Sequence, residues 1–369
     1  MTEWIECTLD KLGEIVGGAT PSTKCEDYYG GSIPWITPKD LSSFKGRYIT
    51  SGERNITEKG LASCSAQMMP KDAVLFTSRA PIGYVAIASQ SVCTNQGFKS
   101  IVVNEKADPL FVYYLLKYNK DAIEAMGSGT TFKEVSGKTM RAVKVRIPLD
   151  VNYQKRIAAV LDSLDTKIEN NERINDNLQQ QAQAIYSSMF IDNPDPAWSH
   201  GHLSDLITVK YGKDHKKLAD GIYPVYGSGG IMRYVERPLY NKESVLIPRK
   251  GTLNNVMYVN QPFWSVDTMF YTEMKLPNVA KFVYHFVKAK DLASMNAGSA
   301  VPSMTTDILN AMEVVIPSAS ALEEFESLVA PMYEAMEAND VQSKALSQIR
   351  DTLLPKLMSG EIDVSDVQL

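Results

Sequence analysis

The chain has 369 residues, of which 44% are hydrophobic, and its net charge is −5 at pH 7. It is long enough for two domains with ordinary cores, and this composition excludes a disordered or fibrous protein. No apolar run approaches the roughly 20 residues that span a bilayer, and the first residues are acidic where a signal peptide is basic. We therefore expect a soluble, cytoplasmic protein with no membrane contact.

Residues 1–150 carry short apolar runs bounded by Pro, Gly and Asn, a pattern that predicts strands and turns. Two such runs are 74–76 and 84–87, and residues 108–117 have the pattern of a short helix. The segment is mildly basic, with 18 Lys or Arg against 16 Asp or Glu. All four cysteines lie here without metal-ligand spacing, so we expect free thiols and no metal site.

Residues 151–192 change to a helical pattern, with apolar side chains at alternating four- and three-residue spacings, which is typical of a coiled-coil seam. About 39 helical residues would span roughly 58 Å, longer than a small domain is wide. The seam runs into Asn171, and a buried asparagine can fix the register of paired helices, unless a local irregularity turns it outward. The predicted seam is Ile157, Leu161, Leu164, Ile168, Ile174, Leu178 and Ile185.

Residues 193–320 return to short apolar runs, at 245–247 and 256–259, with a second short helix predicted over 279–289. Residues 196–320 are again mildly basic, with 13 Lys or Arg against 10 Asp or Glu. A helical pattern then covers 321–369, where 3 basic residues stand against 10 acidic ones. Its predicted seam is Leu322, Phe325, Val329, Met332, Met336, Asn339, Leu346, Ile349, Leu353 and Leu357.

The two globular segments repeat each other at a constant offset of 171 residues. Asp72-Ala-Val-Leu-Phe recurs as Glu243-Ser-Val-Leu-Ile, and Phe111-Val-Tyr recurs as Phe282-Val-Tyr. Two copies are too few for a solenoid. We predict two mixed α/β domains in pseudo-repeat, at 1–150 and 193–320, with one long helix at 151–192 and a second long helix followed by a C-terminal tail at 321–369. The helices could form an antiparallel pair within the chain or parallel pairs in a homodimer.

Several loops combine cations with hydroxyl and amide side chains, the groups that contact phosphates and base edges in DNA. Each such residue by itself is also typical of an ordinary surface turn, so the argument rests on paired loops in the two halves. The candidate DNA-binding residues are Lys24, Ser78, Arg79, Asn95, Gln96, Lys99, Thr130, Thr131, Lys133, Lys213, Lys216, Lys217, Arg249, Lys250 and Ser303.

Sequence motifs for catalysis are absent: there is no phosphate-binding loop ending in Gly-Lys-Ser/Thr, no dinucleotide fingerprint, no nucleophile elbow and no zinc-ligand cluster. The glycine run 227–230 lacks a trailing lysine, and we interpret it as a loop. We expect no catalytic residue in this chain.

Residues 147–165, Ile-Pro-Leu-Asp-Val-Asn-Tyr-Gln-Lys-Arg-Ile-Ala-Ala-Val-Leu-Asp-Ser-Leu-Asp, resemble the start of the central helix in the specificity subunits of type I restriction-modification systems. Residues 353–362, Leu-Leu-Pro-Lys-Leu-Met-Ser-Gly-Glu-Ile, resemble the end of their second helix. The chain departs from the pattern around Ile316-Pro-Ser-Ala, where the second helix begins.

The resemblance implies two target-recognition domains, each recognising half of a split DNA target, joined by an antiparallel coiled coil that sets the unread gap. It implies a non-catalytic subunit whose partners are double-stranded DNA, two adenine methyltransferase subunits and two restriction subunits. S-adenosylmethionine, ATP and Mg would belong to those partners, with no cofactor in this chain. Because the two halves differ in most residues, we expect an asymmetric target. The alternative is a coiled-coil scaffold with two protein-binding globular domains.

Overall fold

The structure is a computed structural model and describes residues 2–79, 81–129, 133–295 and 303–367. The chain divides into two compact units. Unit 1 comprises 1–173 with 339–369, and unit 2 comprises 174–338. The division falls within both long helices, so each unit contains one globular α/β part and a segment of each helix. Within the described residues, no helix is long and apolar enough to cross a membrane.

The globular part of unit 1 contains ten strands, five short α-helices and two single-turn 3-10 helices within the described residues. The strands are β1 (Trp4–Thr8), β2 (Gly13–Gly17), β3 (Tyr29–Ile36), β4 (Tyr48–Ile49), β5 (Asn55–Ile56), β6 (Val74–Ser78), β7 (Ile82–Ala88), β8 (Cys93–Thr94), β9 (Lys99–Val103) and β10 (Lys144–Pro148). The helices are α1 (Pro38–Ser42), α2 (Glu58–Ala62), α3 (Pro109–Tyr118), α4 (Lys120–Ala125) and α5 (Gly137–Ala142).

The long helices are α6 (Val151–Ser187), which ends in a π-helical turn at Ser188–Asp192, and α10 (Ala319–Ser359). Between them, the strands of unit 2 are β11 (Ser199–His202), β12 (Ile207–Tyr211), β13 (Asp220–Gly227), β14 (Gly230–Val235), β15 (Ser244–Pro248), β16 (Met257–Val259), β17 (Trp264–Ser265), β18 (Met269–Met274) and β19 (Glu313–Ile316). The short helices of unit 2 are α7 (Leu203–Leu206), α8 (Ala280–Lys288) and α9 (Thr306–Asn310).

The two globular parts have corresponding sheet topologies, which the sequence repeat could not supply. Unit 1 has the strand order β2-β9-β6-β7-β4 in its main sheet, and unit 2 has β12-β18-β15-β16. The second sheets, β5-β3-β8 and β14-β13-β17, also correspond, and each contains one parallel pair. Each unit also has a two-stranded antiparallel sheet, β1-β10 in unit 1 and β11-β19 in unit 2. These sheets bring the start and end of each globular part together. The mixed α/β pseudo-repeat is confirmed.

Local sequence signals explain where the short helices begin. Helix α3 starts at Pro109, whose fixed φ suits the first helical position, and the side chain of Asp108 accepts the backbone N–H of Phe111. Helices α3 and α8 match the predicted ranges 108–117 and 279–289 to within one residue at every boundary. All four predicted strand segments, in β6, β7, β15 and β16, are also confirmed.

Each globular part shares a hydrophobic core with the helix segments of its own unit. In unit 1, Tyr153, Ile157 and Leu161 of α6 and Leu357 of α10 join the core that contains α3. In unit 2, Tyr186 of α6 and Phe325 of α10 join the core that contains α8. Burial of these large side chains stabilises the attachment of each sheet to the helices, since each contributes roughly 1.5–3 kcal/mol.

The helix segments run antiparallel within each unit. In unit 1, Asp165 pairs with Arg350 while Asn171, further along α6, contacts the earlier Asn339. In unit 2, the side chain of Asn175 donates to the carbonyl of Met336, and Tyr186, further along α6, lies against the earlier Phe325. The antiparallel arrangement is therefore confirmed. The prediction that Ile174 and Ile349 belong to the seam is wrong. Ile174 is 42% exposed and Ile349 is 48% exposed, because both lie on the outer face of their helices.

Candidate nucleic-acid interface

The end of one core strand is held in the same way in both units. In unit 1, the backbone N–H of Ser78, at the end of β6, donates to the carbonyl of Gly97 at 2.7 Å, and the carbonyl of Ser78 accepts the N–H of Val135 at 2.9 Å. In unit 2, Arg249 follows β15; its N–H donates to Thr268 at 2.9 Å, and its carbonyl accepts the N–H of Met304 at 3.0 Å. Three loops therefore meet at the same strand end in each unit.

At this strand end, unit 1 places two cations on one carboxylate. The Arg79 guanidinium lies 3.8 Å from one oxygen of Glu134, and the Lys99 ammonium lies 3.7 Å from the other. Lys99 is mostly covered whereas Arg79 is about one-third exposed. Glu134 thus neutralises part of the charge here and holds the two cations together, and the Arg79 guanidinium is the more accessible of the two to a polyanion.

The loop that follows β2 lies against the loop that follows β8. The hydroxyl of Thr20 donates to the side-chain carbonyl of Gln96, and the N–H of Ala19 donates to Thr94 at 3.0 Å. The Asn95 side-chain oxygen accepts the N–H of Gly97 at 2.8 Å and so stabilises its own turn. Gln96 is exposed, whereas Asn95 is half-buried.

The remaining candidates of unit 1 have different environments. Lys24 and Lys133 are exposed, but Thr130 and Thr131 lie outside the described residues. The prediction that Ser78 contacts DNA is wrong, because its side chain is fully buried. Its hydroxyl has no hydrogen-bond partner in the described structure. A buried side chain in a core strand is not accessible to DNA, so Ser78 serves the local fold.

In unit 2, a lysine-bearing loop follows β12. Lys213, Lys216 and Lys217 are all exposed. The loop is held by its backbone, since the N–H of Lys213 donates to Ser265 at 2.8 Å and its carbonyl accepts the indole N–H of Trp264 at 2.8 Å. The three ammonium groups are thus carried on a well-anchored loop, an arrangement suited to phosphate contacts.

Arg249 of unit 2 lies against an aromatic side chain. Its guanidinium lies 5.2 Å from the ring centre of Tyr211, a cation–π distance, and one of its nitrogens donates to the carbonyl of Asp267 at 3.5 Å. The next residue, Lys250, is exposed and forms a β-bridge with Ser303. Arg249, Lys250 and Ser303 are therefore close together.

Two residues of these sites, Glu134 and Tyr211, are not among the candidates predicted from the sequence. Glu134 is far along the chain from Arg79, and no sequence spacing indicates their pairing. Tyr211 lies at the end of a strand as an exposed aromatic residue, a signal that could have identified it beside the lysine run.

The helix-pairing candidates contain one buried polar contact. Asn171 is 1% exposed; its amide donates to Gln342 at 2.9 Å and to Ser343 at 3.1 Å, and it lies 3.4 Å from the Asn339 carbonyl. Its side-chain oxygen is buried and has no partner in the described structure. Among the apolar candidates Leu161 is buried, and the half-buried ones are Leu164, Ile168, Leu178, Met332, Met336, Leu346 and Leu353.

Each unit also joins its short helix to the long helices through buried polar side chains. In unit 1, Tyr114 of α3 donates to Asp165 at 2.8 Å, and Asp165 accepts Arg350 at 2.7 Å. Burial and the adjacent Asp165 raise the pKa of Tyr114, so its hydroxyl stays a donor. These contacts link α3, α6 and α10 of unit 1.

In unit 2, His285 of α8 takes the place of Tyr114 at the 171-residue offset. Its Nδ1 lies 2.8 Å from the Gln183 side-chain oxygen, and its Nε2 lies 3.0 Å from the Tyr333 hydroxyl. Burial lowers the pKa of His285 to about 4. The neutral imidazole suits this arrangement because one nitrogen donates and the other accepts.

Comparison with known proteins supplies the family. The model described as "Type I restriction modification DNA specificity domain" matches residues 1–180 and 197–325. The chain belongs to the family of type I restriction-modification specificity subunits. A specificity subunit of Methanocaldococcus jannaschii, that of the type I restriction enzyme MjaIX, is 32% identical over 99% of this chain and 95% of its own length.

Further relatives cover nearly the whole specificity subunit. The EcoprrI specificity subunit of Escherichia coli is 23% identical over 90% of this chain and 89% of its own. A crystal structure of a type I S subunit from M. genitalium covers 96% of both chains with a TM-score of 0.63 and 19% identity, which shows a shared fold. The specificity-subunit function predicted from the helix signatures is thus confirmed, and it displaces the scaffold alternative.

Proposed function

We propose that each unit of this specificity subunit recognises one half of an asymmetric, bipartite DNA target. One observation carries the proposal: two globular parts with corresponding topology hold the same three loops together but present different side chains. Where unit 1 has the buried Ser78, unit 2 has Arg249 stacked on an aromatic ring. Base edges are distinguished by their donor and acceptor pattern, so different loop side chains predict unrelated half-sites.

We propose that five exposed lysines contact phosphates and that polar side chains at the anchored strand ends and turns contact bases. Lys24, Lys133 and the three lysines that follow β12 would neutralise phosphates, which orients the protein without sequence preference. Arg79, Asn95, Gln96, Arg249 and Lys250 would contact base edges, because their side chains project from anchored backbone.

The partners follow from family membership. We propose that the chain is non-catalytic and assembles in the cytoplasm with two adenine methyltransferase subunits and two restriction subunits. S-adenosylmethionine would bind the methyltransferase, and ATP and Mg would bind the restriction subunit. The outer faces of α6 and α10 carry polar and acidic side chains beyond their seam, and we propose them as the methyltransferase contact. The described residues contain no group of three or more His, Cys, Asp or Glu side chains that could hold a metal.

The test is to co-express the chain with its methyltransferase in a host without DNA modification and to map N6-methyladenine by long-read sequencing. We expect a split motif with a fixed gap and two unrelated halves. A palindromic motif would contradict the proposal of different half-sites. If a purified complex of the two proteins leaves the DNA unmethylated, the proposal of methylation guidance fails.

Variants assign the half-sites to the units. Arg79→Ala should relax only one half of the motif and Arg249→Ala only the other. The matched controls are Lys71→Ala and Lys242→Ala, exposed lysines that precede the other ends of β6 and β15. Equal relaxation of both halves by either arginine variant would refute the assignment of one half-site to each unit.

A further inference from the structure

The hairpin of β13 and β14 exposes apolar side chains beside the cations of unit 2. Ile231 is 49% exposed and Met232 is 61% exposed, and both follow the tight turn at Ser228-Gly229. The corresponding connection in unit 1 is long and contains α1 and β4, so this hairpin is a feature of unit 2 alone within the described structure. Large apolar side chains at such exposure have no part in the core.

The tip of the hairpin is fixed against the loop that carries Arg249 and Lys250. The side chain of Asn255 donates to the carbonyl of Ser228 at 2.8 Å. A Cβ placed on Gly251 would come within 2.6 Å of the Ser228 hydroxyl, and the φ of Gly251 is +84°. The turn and the cation loop are therefore in direct contact, and only glycine allows the approach without strain.

The other side of the hairpin is fixed to the lysine loop. Arg233 of β14 donates to the carbonyl of Leu218 at 2.9 Å and to the Asp220 carboxylate at 2.8 Å. Met232 lies over the turn, because a Cβ on Gly227 would come within 2.5 Å of its sulfur. The hairpin that carries the two exposed apolar side chains is thus held between the lysine loop and the loop that carries Arg249 and Lys250.

This arrangement has the properties of a major-groove element. The major groove of B-DNA admits a two-stranded β-ribbon, and its one apolar base feature is the C5-methyl group of thymine. Cations on both sides of the ribbon would contact the phosphates that border the groove. A protein partner would not require flanking cations of this kind, so the charge pattern favours DNA as the occupant.

We propose that the β13–β14 hairpin enters the major groove and that Ile231 and Met232 contact thymine C5-methyl groups in the half-site of unit 2. The proposal rests on the proposed function, because it requires that unit 2 binds DNA. It names residues outside the candidate set and a chemical feature of the target: thymine at defined positions of one half-site.

The experiment combines protein variants with changes to the DNA. Duplexes carry the mapped target with each thymine of either half-site replaced, one at a time, by uracil, which lacks only the methyl group. Binding is measured by fluorescence anisotropy for the full chain in complex with its methyltransferase. For the wild type, uracil at one or more positions of the unit 2 half-site should weaken binding about fourfold, the value for one buried methyl group.

The variant Met232→Ala or Ile231→Ala should bind the thymine duplex more weakly and should lose the response to uracil at the contacted position. Ile222→Ala is the matched control: Ile222 is 78% exposed on the same hairpin but lies near the start of β13, far from the turn. The control should keep both the affinity and the uracil response. Thermal melting checks that each variant is folded.

The outcomes separate this inference from the proposed function. If the wild-type complex does not distinguish the mapped target from a scrambled duplex, the proposed function fails. If it does distinguish them, but uracil has no effect or the two variants keep the full uracil response, the hairpin inference is overturned while the function stands. A unit 2 half-site without any A·T pair would also overturn it.

Discussion

Arg47 forms a buried ion-pair network whose loss should destabilise unit 1. It lies just before β4 and is 5% exposed. Its guanidinium pairs with Asp162 and, at 2.9 Å, with Glu169, and it donates to the Thr166 hydroxyl at 2.9 Å. All three partners lie on α6, so one side chain attaches the sheet edge to the long helix.

The magnitude of the Arg47→Ala effect follows from what the substitution leaves behind. Removal of one partner from a buried ion pair costs about 3–5 kcal/mol, because the remaining charge is buried without compensation. The Asp162 and Glu169 side chains are 33% and 34% exposed, so water would solvate them in part. We therefore expect a loss of about 2–3 kcal/mol in the free energy of unfolding of unit 1, or roughly 4–12 °C in melting temperature.

The assay is differential scanning calorimetry together with urea unfolding of the purified chain. Lys45→Ala is the matched control, because Lys45 pairs with Glu172 of the same helix at 3.6 Å but is 77% exposed. An exposed pair contributes about 0–1 kcal/mol, so this variant should unfold almost as the wild type does. If Arg47→Ala lowers the unfolding transition no more than Lys45→Ala, the reasoning from burial is wrong.

Three further predictions concern other parts of the chain. Asn171→Leu should raise the free energy of unfolding by about 1 kcal/mol, because it removes a buried oxygen without a partner in the described structure. Urea unfolding measures this as a higher midpoint, and a lower midpoint would contradict the prediction. Burial lowers the pKa of His285 to about 4. The contribution of the neutral imidazole to the free energy of unfolding is therefore complete above the unfolded pKa of about 6.5 and is lost as pH falls towards 4. The melting temperature should drop from pH 7 to pH 5 in the wild type and drop less in His285→Gln, and an identical drop would exclude His285 as the cause. Lys250→Ala should weaken binding to the cognate duplex more than binding to a scrambled duplex, because it removes a proposed base contact, and Lys242→Ala should leave both affinities unchanged; an unaltered affinity would remove Lys250 from the interface.

One tryptophan in each unit makes the same kind of hydrogen bond, although the two tryptophans lie on strands that do not correspond. In unit 1, the indole N–H of Trp35 on β3 donates to Ala19 at 3.0 Å. In unit 2, Trp264 on β17 donates to Lys213 at 2.8 Å. Strand β3 corresponds to β13, and β8 corresponds to β17. Trp35 of β3 pairs with Cys93 of β8, and Trp264 of β17 pairs with Val225 of β13, so the tryptophan is on opposite members of the equivalent strand pair. The sequence repeat does not reveal this change of strand, because the two strands of each pair are distant along the chain and are neighbours only in the sheet.

The sequence by itself determined the elements and their duplication. The spacing of apolar side chains specifies the long helices, and Asp108-Pro109 begins α3, because these signals act between residues that are close along the chain. The apolar seam also placed Asn171 between the helices. Such local signals do not depend on which distant strand becomes a neighbour.

Only the tertiary structure decided which side chains share a site. It buries Ser78 while it leaves Arg249 half-buried against Tyr211 at the matching strand end, and it places Glu134 between Arg79 and Lys99. It also presents Met232 beside the cations of unit 2. These outcomes depend on the packing of sheets and loops from distant parts of the chain, and the accessibility of a side chain is a property of that packing rather than of its own residue type.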